Sequence, residues 1–185
     1  MSTAQAHPKV TGRRLPWAGL VLMGVVLGGA VLLRAFAVRP LRVISDSMAP
    51  TLRVGDRLVM DLWTYRFEAP EAGDIVVFEP PPALARSVAE PPRHSIKRVV
   101  ALPGQVVQVR DGQVWVDGQA RHEPYVAEPA GYTWGPERVP EGELFVLGDN
   151  RNASADSHAW GFLPARYVTG RAWVRFWPPE RAGRP

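Results

Sequence analysis

The sequence predicts a mainly β protein: a single N-terminal transmembrane helix followed by a largely antiparallel β domain. Three observations carry this reading. The first is Leu15–Leu33, 19 residues without a charged side chain, which at ~1.5 Å per residue approaches the ~30 Å hydrocarbon core of a bilayer. The second is the change beyond that run to period-two alternation in short stretches rich in Val, Phe and Trp. The third is a pair of Asp-Gly turns, Asp111-Gly112 and Asp117-Gly118, punctuating those stretches.

Taken in order, residues 1–14 form a basic tail, 15–38 the anchor, 39–177 the β domain and 178–185 a flexible tail. Trp17 sits near one end of the apolar run, where an interfacial aromatic belongs. Gly24, Gly28 and Gly29 weaken a helix in water but are tolerated in a bilayer. Ala35-Phe36-Ala37 resembles a small-x-small cleavage site. The run is longer than the ~7–15 residues of a signal-peptide core, and Arg34 and Arg39 crowd the site, so a retained anchor is expected. Lys9, Arg13 and Arg14 face Arg34, Arg39 and Arg42 across the span, so charge alone does not orient it.

Strands are expected at Arg57–Asp61, Asp74–Phe78, Ile96–Leu102, Val106–Arg110, Val114–Val116, Leu144–Leu147 and Ala172–Trp177. Pro70 to Pro92 holds two Pro-rich patches and reads as a loop or excursion between strands, because Pro cannot donate to a ladder. Pro124 to Pro140 is a second irregular stretch. No amphipathic segment is long enough for a major helix, so the domain is expected to be a partly open barrel-like or folded-over sheet.

Composition narrows the chemistry. Cysteine is absent, which removes disulfides, thiolate metal sites and a cysteine nucleophile. The four His residues are scattered and none pairs at a metal-ligand spacing. The net charge of +4 arises in residues 1–42, which carry six basic residues and no acid. The other 143 residues carry 16 basic and 18 acidic side chains. The basicity therefore flanks the apolar segment, as membrane-surface charge does, and nucleic-acid binding is not expected.

Of the 22 basic residues, only Lys9 and Lys97 are lysine. Lys97 lies in an apolar strand-like run. Arg does not deprotonate in a protein, whereas a desolvated Lys becomes a neutral amine and acts as a base. Alternation puts Lys97 on the face of Val99, and half burial there would lower its pKa. The plainer alternative is a solubilising surface lysine. Ser45-Asp46-Ser47-Met48-Ala49-Pro50 is an irregular turn whose two serines share a face, one placed to attack and one to donate to an oxyanion. An isolated S-x-S also reads as an S/T-turn or helix cap. Leu147 to Ser157 is a polar loop leaving an apolar strand: either a turn-rich surface loop or a buried network in which Asp149, Arg151 and Asp156 pair and orient Ser154.

Five motifs in order behind an apolar segment resemble the type I signal peptidases, membrane-bound serine–lysine peptidases of bacteria. They are S-D-S-M-A-P-T-L, Gly55–Val59, Gly73–Phe78, Ile96–Gly104 and the Gly148–Ser157 loop with Trp160-Gly161 after it. The resemblance covers about 40 to 177 and the preceding anchor. It implies Ser47 as nucleophile and Lys97 as general base, with an oxyanion hole formed by the Ser47 N–H and the Ser45 hydroxyl. It implies that Ser154 orients the Lys97 amine, with Asp149, Arg151 and Asp156 in support. Val43 and Ile96 would line shallow pockets for small side chains. It further implies removal of signal peptides after Ala-x-Ala sites, preprotein substrates, contact with membrane lipid, no metal or cofactor and a monomer. The protein would be single-pass in the cell membrane, with its catalytic domain on the extracytoplasmic side. Ser95, His158 and Ala49 depart from the commonest family pattern without removing a catalytic atom. Two alternatives remain open: a specialised processing peptidase of a secretion or conjugation system, and a non-catalytic membrane-anchored β domain that binds a partner.

Overall fold

The structure, a computed structural model, describes residues 17–185 except positions 88 and 91. The basic tail at 1–14 and the first residues of the expected anchor lie outside it. The chain divides into two units after Phe36. The first is helix α1, Trp17–Phe36. Among the described residues no helix is long and apolar enough to cross a membrane. The expected span to residue 38 is also too long, because Val38 already pairs in a sheet.

The second unit is the β domain. Its elements are β1 Val38–Arg42, β2 Arg57–Asp61, β3 Ile75–Phe78, α2 Pro82–Ser87, β4 Ser95–Ala101, β5 Val106–Arg110, β6 Gln113–Val116, β7 Gln119–Ala120, β8 Trp134–Arg138, β9 Glu143–Leu147, α3 Ser157–Trp160, β10 Leu163–Pro164 and β11 Val168–Trp177. All strand pairs are antiparallel. Seven strands run in the order β1-β2-β11-β3-β4-β9-β10, and four more in the order β7-β6-β5-β8. The seven strands expected from periodicity all form, with ends shifted by a few residues. At the Asp111-Gly112 turn both residues have positive φ, 52° and 76°, the conformation that matches the twist of a two-residue hairpin.

Three segments differ from expectation. The stretch at 124–140 contains β8, and the Pro-rich excursion contains α2, which begins at Pro82, where a missing N–H costs nothing. The tail after Trp177 forms a 3-10 turn at Pro179–Arg181 and a β-bridge between Arg175 and Gly183, so it is docked rather than flexible.

The apolar faces close three clusters. Val107, Val109, Val114 and Val116 of the smaller sheet pack on Phe145 and Leu147. Val76, Phe78, Val99 and Val146 pack on Leu84, Trp160 and Leu163. Val43, Met48, Leu52, Leu58 and Met60 pack on Ile75 and Val77. The last cluster positions the site, because Met48 and Leu52, 1% and 0% exposed, anchor the turn that follows Ser47. Burying two such side chains contributes roughly 1.5–3 kcal/mol each.

Candidate active site

Two segments, fifty residues apart in sequence, meet here. Met48 accepts from the Leu52 N–H at 2.8 Å and Asp46 from the Ala49 N–H at 2.9 Å, which closes the turn around Ser47. Lys97 lies near the start of β4, opposite Val76 of β3. Its Nζ is 2.7 Å from Ser47 Oγ. Lys97 is 5% exposed, more buried than the half burial expected. That desolvation lowers its pKa from the ordinary 10.5 to about 8, against the opposing pull of the Asp156 and Asp149 charges.

Ser45 Oγ stands 3.2 Å from Ser47 Oγ, so the two hydroxyls share a side. The Ser47 N–H has no acceptor among the described residues. A groove of about 440 Å³ opens there, lined by Val43, Ser45, Ser47, Ile96 and Lys97, with Ala153 and Ala155 on the loop side. It gathers the two expected pocket residues with the two expected catalytic ones.

The supporting charges pair differently from expectation. Asp149, Arg151 and Asp156 do not pair with one another; Asp149 and Arg151 take partners from elsewhere in the fold, and Asp156 takes neighbours along the chain. Asp149 accepts two bonds from Arg98, at 2.8 and 2.7 Å, and one from the Thr51 hydroxyl at 2.5 Å. Arg151 is paired with Glu123 through two N–H groups, at 2.9 and 2.8 Å. Asp156 accepts from the Gly148 N–H at 2.9 Å, caps α3 through the His158 N–H, and faces the His158 ring nitrogen at 2.6 Å. A buried charge needs an opposite charge within reach, and β4 and the chain near Tyr125 bring Arg98 and Glu123 closer than the loop brings its own members. Ser154 also differs: its hydroxyl makes no bond to Lys97 and is buried without a partner.

Four residues escaped the sequence reading. Arg98, the neighbour of Lys97, and Thr51 tie Asp149 to β4 and to the turn that bears Ser47. Asn150 donates its N–H to the Ser47 carbonyl at 3.1 Å and its side-chain amide to the Asp46 carbonyl at 3.2 Å. Gly148 leaves no room for a side chain, since a Cβ there would overlap both the Ser47 carbonyl and Ser154 Oγ. Arg98 and Thr51 lay inside recognised motifs, and their polar character was the only signal. We expect Gly148→Ala to fold yet to lower kcat about 10²-fold, because a displacement of Ser47 near 1 Å would have that effect on a reacting group; steady-state kinetics beside a thermal melt checks it.

The family model for signal peptidase, peptidase S26, matches residues 15–177. A probable signal peptidase I-1 of Synechocystis is 47% identical over 173 residues, 91% of this chain and 88% of that one. A signal peptidase I of Leptolyngbya laminosa is 43% identical over 97% of this chain and 88% of its own. A signal peptidase I of Mycobacterium tuberculosis is 34% identical over 98% of this chain and 78% of its own.

Proposed function

Because this chain belongs to the signal peptidase family, peptidase S26, we propose that Ser47 is its nucleophile and Lys97 the general base. The protein is a serine endopeptidase that removes signal peptides from preproteins. The observation that carries the assignment is the 2.7 Å approach of a buried lysine amine to a serine hydroxyl. Neutral Lys97 accepts the Ser47 proton as Oγ attacks the scissile carbonyl. The tetrahedral oxyanion is held by the Ser47 N–H and the Ser45 hydroxyl, donors each worth on the order of 10²–10³ in rate. Lys97, now charged, protonates the leaving amine. Water then attacks the acyl-enzyme with Lys97 again as base. Ser154, a buried hydroxyl with no partner of its own, is the group we assign to accept a second N–H from the charged amine. Asp149, Arg151 and Asp156 hold the surrounding loop.

Substrate geometry follows from strand pairing. Ser95–Lys97 pair with β3 on one side, while β9 pairs with β4 only from Arg98 onward. The free edge at Ser95–Lys97 accepts an extended peptide as an added strand. Val43 and Ile96 then meet alternate side chains of that peptide, and their shallow apolar walls select small residues, as in an Ala-x-Ala site. We assign α1 as a single-pass anchor in the cell membrane that keeps a monomeric catalytic domain on the extracytoplasmic side. Its uncharged run, interfacial Trp17 and exposed apolar side chains support that role. Tethering enzyme and preprotein to one bilayer raises their effective concentration.

The test is cleavage of an Ala-x-Ala preprotein by the chain purified in detergent. Ser47→Ala should be inert. For the wild type, kcat/KM should rise with pH along a limb centred on the Lys97 pKa of about 8. The neutral fraction grows about tenfold between pH 7 and 9. A rate flat from pH 6 to 10 would overturn the assignment of Lys97 as base.

A further inference from the structure

The family match stops at residue 177, yet the segment beyond it docks behind the nucleophile turn. The Arg175 N–H donates to the Gly183 carbonyl at 2.8 Å, and the Gly183 N–H returns a bond to the Arg175 carbonyl at 2.9 Å. The Arg175 Nε–H also donates to the Arg181 carbonyl. These bonds fold the segment back and aim the Arg181 guanidinium at the turn. Its Nη2 donates to the Pro50 carbonyl at 3.2 Å and the Thr51 carbonyl at 3.1 Å, and its Nη1 pairs with Asp56 at 2.9 Å. Asp56 is 2% exposed and accepts the Arg53 N–H at 2.9 Å as well. Arg175 adds a bond from Nη1 to the Thr51 carbonyl at 2.7 Å.

We propose that Arg181, supported by Arg175 and Asp56, is a positioning residue that fixes the turn bearing Ser47 at its working distance from Lys97. This rests on the reading of Ser47 and Lys97 as the catalytic pair. Thr51 sits between two clamps. Its hydroxyl is held by Asp149, which Arg98 links to β4 next to Lys97. Its carbonyl is held by Arg175 and Arg181 on the opposite flank. The first clamp sets the turn toward the base; the second stops it from pivoting away. The carbonyls of Pro50 and Thr51 lie in the turn that the Leu52 N–H closes onto Met48, and a guanidinium fork spans two acceptors while holding a carboxylate. Arg181 makes no bond to Ser47 or Lys97, so it acts through the turn alone.

The experiment compares wild type, Arg181→Met, Arg181→Lys and Ser47→Ala in the full chain in detergent, using an Ala-x-Ala preprotein and amide hydrogen exchange. Arg181→Met should lower kcat roughly tenfold at unchanged KM, with the pH limb of Lys97 unmoved. Exchange of the Ala49 and Leu52 amides, which close the turn, should quicken. Arg181→Lys should restore only part of the rate, because an ammonium can cap the carbonyls but cannot span to Asp56 as well. Wild-type kcat together with wild-type exchange at Leu52 in Arg181→Met would overturn the proposal, as would a change in KM alone. Cleavage surviving Ser47→Ala would overturn the catalytic reading instead, and the exchange of Ala49 and Leu52 would still decide whether Arg181 holds the turn.

Discussion

Lys97→Arg is expected to abolish cleavage, a loss of at least ~10³-fold in kcat/KM, the range that general acid–base catalysis supplies. Arginine keeps the positive charge but does not deprotonate, so it cannot take the Ser47 proton. The chain places Arg at 20 of its 22 basic positions, which makes this the substitution it has otherwise favoured and the one the proposed mechanism forbids. Lys97→Met separates chemistry from stability. It should be equally inactive yet melt higher than wild type at pH 7. The folded pKa is about 8 against 10.5 for an unperturbed lysine, so between those values the unfolded chain binds more protons than the folded one. Wild-type stability therefore rises as pH climbs from about 8 toward 10.5, and below about 8 the cost of burying the amine is fully present. The gap between Lys97→Met and wild type should be largest below pH 8 and close above it. Melting curves at pH 6, 8 and 10 and a preprotein assay read both effects. Lys97→Arg activity within tenfold of wild type would sink the base assignment.

The parts of this fold that were legible in sequence share one property: their information is local. Val107 and Val109 alternate because one face of β5 is buried, and Asp111-Gly112 marks its turn because few residue pairs tolerate two positive φ values. Ser47 and Lys97 stood out in sequence as candidates that the fold brings within 2.7 Å, since a lysine amid apolar neighbours is costly without a use. The illegible parts depend on what is brought near from far away. β1, Val-Arg-Pro-Leu-Arg, and β8, Trp-Gly-Pro-Glu-Arg, lack alternation and contain proline; both are edge strands, where a missing donor faces no partner. The tail after Trp177 looked flexible because half of its residues are Pro or Gly, and its docking depends on groups distant in sequence, among them the buried Asp56 carboxylate 125 residues before Arg181. The choice of Arg98 rather than Arg151 for Asp149 is of the same kind: β4 lies beside β9 in the sheet, and no spacing along the chain encodes that adjacency.

That adjacency leads to the second large effect. Asp149→Ala should destabilise the β domain by about 3–5 kcal/mol, the usual consequence of stranding one member of a buried ion pair. Arg98 is 8% exposed and Asp149 1%. Without the carboxylate, the guanidinium keeps only the Gly73 carbonyl, 2.9 Å from Nη1, and the Tyr125 ring, 3.9 Å from its centre. Thr51 loses the acceptor of its 2.5 Å bond at the same time, which loosens the turn bearing Ser47 from the strand bearing Lys97. The melting temperature should fall by on the order of 10 °C for a domain of this size. Surviving folded enzyme should show a lower kcat and an ascending pH limb displaced to lower pH, because the Asp149 charge raises the Lys97 pKa. The paired change Arg98→Met with Asp149→Leu separates the two roles. It removes both charges together, so much of the stability should return, whereas Thr51 still has no carboxylate and kcat should stay low. Full recovery of kcat in the double variant would show that the pair serves stability alone; recovery of stability without kcat locates in Asp149 the hold on the nucleophile turn.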